Sequence, residues 1–187
     1  FDEMDVGVSY LGRDFLKCCG HDQKWQGMSE VFEKLKAYNQ KKLKASGIET
    51  LVTSCAECFR TFAMDYELDE MKVMHTTEFI TQQGFDVQMA VEEDVTVTYH
   101  DPCRLGRQMN IYEEPRDLVR KVEGVSLVEM DHHGEDGLCC GVSSMMSCNE
   151  NSRSLRLQRF DEVKATGAEL MLTSCPKCVS HFECLKF

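Results

Sequence analysis

The chain has 187 residues, enough for one large core or two small ones, and its 42% hydrophobic and 28% charged residues are those of a folded globular protein. A net charge of −11 argues against non-specific binding to nucleic acid; no apolar run approaches the roughly 18 residues of a membrane span, and no secretory signal is visible. Eleven cysteines, an odd number arranged in CC and CxxC groups, read as metal ligands in a reducing compartment, most simply the cytoplasm, rather than as a secreted disulfide scaffold.

The start at Phe1 rather than Met reads as a piece of a longer protein. In chain order, a first CCG occupies 18–20. Met28, Val31, Phe32, Leu35 and Tyr38 then recur at steps of three and four, predicting a helix that Gly47 stops. "IETLVT" (48–53) reads as a strand and runs into Cys55 and Cys58; "FRTFAMDY" (59–66) reads as a helix. No linker or low-complexity stretch separates the halves, the acidic "AVEEDV" (90–95) being the closest candidate, and the expected units are 1–92 and 93–187. "VTVTYH" (95–100) predicts a strand leading to Cys103, "EPRDLVRKVEG" (114–124) a helix and "SLVEM" (126–130) a strand. After Cys139 and Cys140, "SLRLQRFDEVKATG" (154–167) reads as a helix, "AELMLT" (168–173) as a strand, and "VSHFECLKF" (179–187), after Cys175 and Cys178, as a helix.

The two halves repeat. CCG at 18–20 returns at 139–141, and "GIETLVTSCAECFRTF" (47–62) matches "GAELMLTSCPKCVSHF" (167–182) at an offset of 120. The prediction is an α/β fold of two tandem pseudo-symmetric units, each a small, mainly parallel sheet with flanking helices, facing one another about a pseudo-two-fold. Both CxxC groups fall just after a strand, where such folds place ligand loops and where helix amides favour thiolates.

The second half offers five thiols: Cys103, Cys139, Cys140, Cys175 and Cys178. The first offers Cys18, Cys19, Cys55 and Cys58, and a counterpart of Cys103 would precede Phe1. Five thiolates are one more than tetrahedral zinc or a cubane [4Fe–4S] cluster takes. An irregular cluster in which one thiolate bridges two irons uses all five, and consecutive cysteines can reach neighbouring irons. A structural zinc site on the CxxC groups, or a thioredoxin-like CxxC, leaves most of the other cysteines without a purpose.

The order Cys103, Cys139-Cys140-Gly141, Cys175-Pro176-Lys177-Cys178, with "YHDPCRLGR" leading in, resembles the cysteine-rich CCG domain of the heterodisulfide reductase B/D family over nearly the whole chain. That resemblance implies an iron–sulfur oxidoreductase subunit. A noncubane [4Fe–4S] cluster would be held by Cys103, Cys139, Cys140, Cys175 and Cys178, and a second is possible at Cys18, Cys19, Cys55 and Cys58, which lack a leading cysteine. It implies anaerobic electron transfer that reduces or forms a disulfide in single-electron steps. It also implies ferredoxin-like, flavin or quinone-linked partner subunits, which could bring a cytoplasmic protein to the inner face of a membrane. The alternatives are an electron relay with no substrate of its own, and a structural zinc-binding module.

Among the remaining residues, His100 and Asp101 are expected to orient the Cys103 loop. His100, His132 and His133 are the candidates for proton delivery. His181 is expected beside the site or at the surface, and Arg104 and Arg107 against an anionic cluster or an acidic side chain. Gly137 and Gly141 are expected to leave room for a ligand. Cys148 and Cys184 read as small buried hydrophobes, and Met71, Met74, Met145 and Met146 as packing.

Overall fold

Two long helices end in the same way. In a computed structural model, which describes residues 7–12, 14–84, 89–142 and 149–185, α2 (Ser29–Ser46) stops at Gly47 (φ 69°) and α7 (Glu150–Thr166) at Gly167 (φ 73°). That left-handed step suits glycine and turns the chain off the helix. Each glycine leads into a short strand, β1 (Thr50–Thr53) or β5 (Leu170–Leu172), and then into a helix, α3 (Ala56–Asp65) or α8 (Pro176–Glu183). The repeat seen in the sequence is therefore a repeat of helix, strand, turn and helix.

Around these lie α1 (His21–Trp25), β2 (Lys72–His75), α4 (Thr76–Gln82), β3 (Met89–Tyr99), α5 (Gly106–Met109), α6 (Glu113–Arg120) and β4 (Val122–Leu127). β1 pairs with β2 in one sheet; the other runs in the order β4-β3-β5. Every pairing is parallel, so the α/β class predicted from alternating elements is the one observed. No helix among the described residues is long and apolar enough to cross a membrane.

The described residues form two cores. Phe32 and Leu43 of α2 meet Leu51 of β1 and Phe62 of α3, with Tyr66, Leu68 and Cys19. Ala56 and Phe59 join Leu105, Ile111, Cys140, Cys175, Cys178 and Phe182 in the other. Each fully buried Leu or Phe contributes about 1.5–3 kcal/mol through its removal from water. The second core draws on both halves and is lined by cysteines, so the site and the hydrophobic centre are the same place.

Several expectations are corrected. The acidic stretch 90–95, the closest candidate for a linker in a sequence read as having none, is part of β3, which runs through it with a register shift between Ala90 and Val95. The helix predicted over 114–124 ends at Arg120, because β4 begins at Val122, earlier than the expected 126. On α2 the buried residues are Phe32, Asn39 and Leu43, while Met28 and Val31 are exposed. Helices α3, α7 and α8 begin earlier than expected, at the CxxC groups themselves and at an Asn149 cap. Cys184 is exposed rather than buried. Cys148, Met145 and Met146 lie outside the described residues, while Met74 is buried and Met71 packs against the core of Phe32, Leu43 and Leu51, as expected.

Candidate metal centre

The parallel strands deliver the cysteines. Cys55 follows β1 and caps α3; Cys175 follows β5 and caps α8; Cys103 follows β3. Cys139 and Cys140 lie in the segment between β4 and α7. Loops at the carboxyl ends of parallel strands share one edge of the sheet, so residues distant in sequence converge there.

They converge into one line of sulfur. Hydrogen-bonding contacts between thiols run from Cys18 to Cys19, on to Cys58 and Cys55, across to Cys175, then through Cys178, Cys140 and Cys139 to Cys103. All nine cysteines that the sequence assigns to the site are in it, and none is in a disulfide. The line is mostly covered: Cys19, Cys140, Cys175 and Cys178 are buried and only Cys18 is exposed.

Acidity varies along the line. Contacts with Cys18 and Cys58 pull the Cys19 thiol down to about 4, and contacts with Cys175 and Cys58 pull Cys55 down to about 2. Backbone amides of Glu57 and Cys58, at the start of α3, act on Cys55 in the same direction. Cys178 favours the Cys175 thiolate, but Cys55 and burial outweigh it, leaving Cys175 at about 11. Cys139 and burial push Cys140 up to about 12. Nine adjacent sulfurs in a covered seam cannot all ionise without cations between them, because each thiolate raises the cost of the next. Such a set suits soft, multivalent metal: thiolates in this number exceed one tetrahedral zinc and match iron–sulfur ligation.

Each CCG turn is pinned by glycine. Gly20 and Gly141 both have φ of 83°. A Cβ on Gly141 would lie 2.7 Å from the carbonyl oxygen of Ser152 on α7, and one on Gly20 would lie 2.8 Å from the ring of Phe32 on α2. A Cβ on Gly137 would lie 3.0 Å from the carbonyl of Gly134. These glycines thus allow close packing against protein and do not open space for a ligand, which corrects the expectation for Gly137 and Gly141.

The carbonyls of the turns are also held. In the first half, Tyr66 Oη donates to the Cys19 carbonyl (3.0 Å) and buried Asn39 donates to that of Cys18 (3.1 Å). In the second, His181 Nδ1 meets the Cys140 carbonyl at 2.9 Å, and Arg107 donates to that of Gly137 at 2.6 Å. Buried Asp101 orients two loops together. Arg116 grips it through both terminal nitrogens, at 2.7 and 2.9 Å, while the Gly134 amide donates to it at 2.8 Å. Arg116 also reaches Glu129 at 2.8 Å, so a buried ion network fixes the Cys103 loop against the loop before Cys139.

The halves meet through equivalent residues. Cys55 touches Cys175, its counterpart 120 residues on, and Lys177 Nζ lies 3.4 Å from Glu57, its own counterpart. Equivalent positions that contact each other are the signature of a two-fold arrangement. Lys177 also pairs with Asp22, and Arg104 stacks 3.8 Å over the ring of Trp25, so both charges tie the second half to α1. Burial raises the Glu57 carboxyl to about 7, and burial together with Arg104 lowers His21 to about 4.

Of the remaining predicted residues, His100 lies beside the sulfurs of Cys140 and Cys178 and the others are spread out. His100 is buried; it has its Nδ1 3.1 Å from Arg159 Nε. Burial and Arg159 hold its pKa at about 3, so it stays neutral near pH 7. His132 pairs with Glu162 at 2.6 Å and His133 with the Met130 carbonyl at 2.7 Å, both on the exposed side of their loop. Arg107 meets a backbone carbonyl rather than an acidic side chain.

Sequence reasoning passed over Arg116, Arg156, Arg159, Asn39 and Trp25. A signal was present for two of them: Ser152, Arg156 and Arg159 fall at helical spacing on one face, and that face is the buried one. An arginine-bearing inner face has to be answered by polar groups inside.

Comparison with known proteins gives the family. Residues 5–63 and 97–183 match the CCG family, described as a cysteine-rich domain. A subunit of the dihydromethanophenazine:CoB–CoM heterodisulfide reductase of Methanosarcina acetivorans is 30% identical over 189 residues, covering 95% of this chain and 46% of that protein. A subunit of the fumarate reductase (CoM/CoB) of Methanothermobacter marburgensis is 30% identical over 170 residues, 89% of this chain and 34% of that one. An uncharacterized iron–sulfur protein of Methanococcus maripaludis is 30% identical over 177 residues, 94% and 35% respectively. The chain thus spans less than half the length of these relatives. Matched over more than half of its residues, the chain belongs to the cysteine-rich CCG domain family, similar to iron–sulfur proteins and subunits of the heterodisulfide reductase type.

Proposed function

We propose that this chain is the part of an iron–sulfur oxidoreductase subunit that holds its redox centre, and that it acts on a disulfide or its thiols. The observation that carries this reading is the unbroken line of nine reduced thiols shared by both halves. In it, Cys103, Cys139, Cys140, Cys175 and Cys178 hold one noncubane [4Fe–4S] cluster. Cys18, Cys19, Cys55 and Cys58 are the ligands for a second, which needs a thiolate from elsewhere to complete the same five-sulfur set. When bound, such centres supply electrons one at a time, and a disulfide takes up two electrons and two protons to give two thiols.

The residues of the chain set the conditions. The Asp101–Arg116–Glu129 network and Arg107 fix the loops that present Cys103 and Cys139. Helices α3 and α8 direct amide dipoles at Cys55 and Cys175, which favours the ionised sulfur. Lys177 and Arg104 bring positive charge to the seam, which offsets the negative charge of thiolate-bound metal. The units divide near 92/93, within β3, and the setting is a reducing cytoplasm, since metal-bound thiolates need thiols kept from oxidation. Redox partner subunits, ferredoxin-like, flavin-bearing or quinone-linked at the inner membrane face, complete the assembly; the two reductase relatives named above are themselves subunits.

A second reading, a pure electron relay, is favoured by one feature: Cys140, Cys175 and Cys178 are covered and the adjacent glycines face protein. The two readings separate in the oxidised, anaerobic assembly. A saturable change in the EPR signal on adding thiols such as 2-mercaptoethanesulfonate supports substrate chemistry. An untouched spectrum, with electrons still passing between subunits, supports the relay. Zinc without iron or sulfide would overturn both.

A further inference from the structure

His100 ends the central strand β3, where its amide still pairs with the Leu172 carbonyl of β5 at 2.8 Å. Its side chain is 1% exposed. Phe182 packs edge-on against the imidazole, with centroids 4.9 Å apart and planes at 88°, which fixes the ring plane. On one edge of the ring, Arg159 Nε lies 3.1 Å from Nδ1. Arg159 is itself fully buried on α7 and clamped by Glu162 and by the carbonyl of His132, both at 2.5 Å.

A guanidinium can only donate, so Nδ1 is the accepting nitrogen and the ring hydrogen sits on Nε2. That Nε2 is buried and has no hydrogen-bond partner among the described residues. A buried donor left without an acceptor is costly, on the order of 1–3 kcal/mol, and usually marks a group whose partner is missing from view. A ring nitrogen of His100 and the sulfurs of Cys140 and Cys178 all lie within 4.8 Å of one another. With Nδ1 committed to Arg159, the nitrogen left to serve these sulfurs is Nε2, and it carries a hydrogen. It is therefore equipped to donate to sulfur, not to bind iron.

We infer that His100, locked in its Nε2–H form by Arg159, is a positioning residue that donates an N–H···S hydrogen bond to the sulfur of the centre held from Cys140 and Cys178. This rests on the reading that those cysteines hold an iron–sulfur centre. Such a bond stabilises the more negative, reduced state, so it raises the midpoint potential of the centre. Arg159 acts through His100. The first half answers the equivalent helix position with Asn39, which donates to the Cys18 carbonyl instead of to an imidazole.

The test is a redox titration followed by EPR on the complete assembly, purified anaerobically with its metal. His100→Leu should lower the midpoint of the centre while leaving its iron content unchanged. His100→Gln, whose amide can still donate, should recover part of the shift. Arg159→Met, which releases the lock without touching a sulfur, should move the midpoint in the same direction as His100→Leu. An unchanged midpoint in His100→Leu overturns the inference, and so does iron loss in His100→Gln, which would make the histidine a ligand. If His100→Leu does not fold, unchanged midpoints in both other variants overturn it. Absence of iron and sulfide from the wild type sinks the underlying reading instead, whatever His100 does.

Discussion

The two halves build the same turn with different means of support. Each presents a CxxC at the start of a helix and a CCG turn with its glycine at φ 83°. In the first half the turn is held by neutral groups, Tyr66 and Asn39. In the second, a buried salt-bridge network and two further buried arginines, Arg156 and Arg159, surround it. At the point where the halves touch, one glutamate and one lysine occupy equivalent positions. The duplication preserved the sulfur geometry and varied the charge around it. Potential and stability are expected to differ between the halves more than ligand geometry does.

The largest expected effect comes from the charged support. Arg116→Leu strands Asp101, which is 5% exposed, and should cost roughly 3–5 kcal/mol in chemical denaturation, whereas Tyr66→Phe in the first half should cost only about 1 kcal/mol. Similar losses for the two variants would mean that the halves are not supported differently.

Next come the paired glycines. Gly141→Ala forces a Cβ onto the backbone of α7, while Gly20→Ala meets a phenyl ring that can turn aside. The former should lose roughly 3 kcal/mol and the latter about 1–2 kcal/mol, read from thermal melts. A reversed order would show that the obstacle at Ser152 yields more easily than the ring.

The repeat was legible because its carriers are local. Glycine stops, Thr-Ser-Cys and the CxxC spacing all act within a few residues, so α2–β1–α3 and α7–β5–α8 could be read from periodicity. β2 and α4 were not, since "KVMH" is four residues with a charge at one end and no turn signal separates it from "TTEFITQ". The acidic half of β3 resembled a linker because its residues are exposed, although β4 pairs with it. The nine ligand candidates were legible from spacing and resemblance. That they form one line through Cys55 and Cys175 was not, because the contact joins residues 120 apart and depends on how the halves dock.

The docking itself can be measured. A double-mutant cycle on Glu57→Gln and Lys177→Met should return a coupling of roughly 1 kcal/mol, as befits a pair across the seam with Glu57 buried and Lys177 partly exposed. A zero coupling would remove this pair from the contacts that hold the halves together.

The smallest effect is acid sensitivity in the first half. His75 accepts from the Thr77 amide at the start of α4, and burial lowers its pKa below the ordinary value of about 6.5. With its folded pKa depressed, its contribution to stability is present above about pH 6.5 and is lost as pH falls. His75→Asn keeps a capping acceptor and should flatten that part of the pH–stability curve, with a difference of about 1 kcal/mol or less. A curve identical to that of the wild type would show that His75 does not carry the acid response.

The central claim is that the thiols of both halves form one metal-holding seam, and the most direct measurement is iron and acid-labile sulfide per chain after anaerobic purification, made on the wild type and on Cys140→Ser. Cys140 contacts both Cys139 and Cys178 and lies in the middle of the second half's sulfurs. The account predicts iron and sulfide together in the wild type and a clear loss of both in the variant. Full retention in Cys140→Ser, or zinc with no sulfide in the wild type, would contradict it.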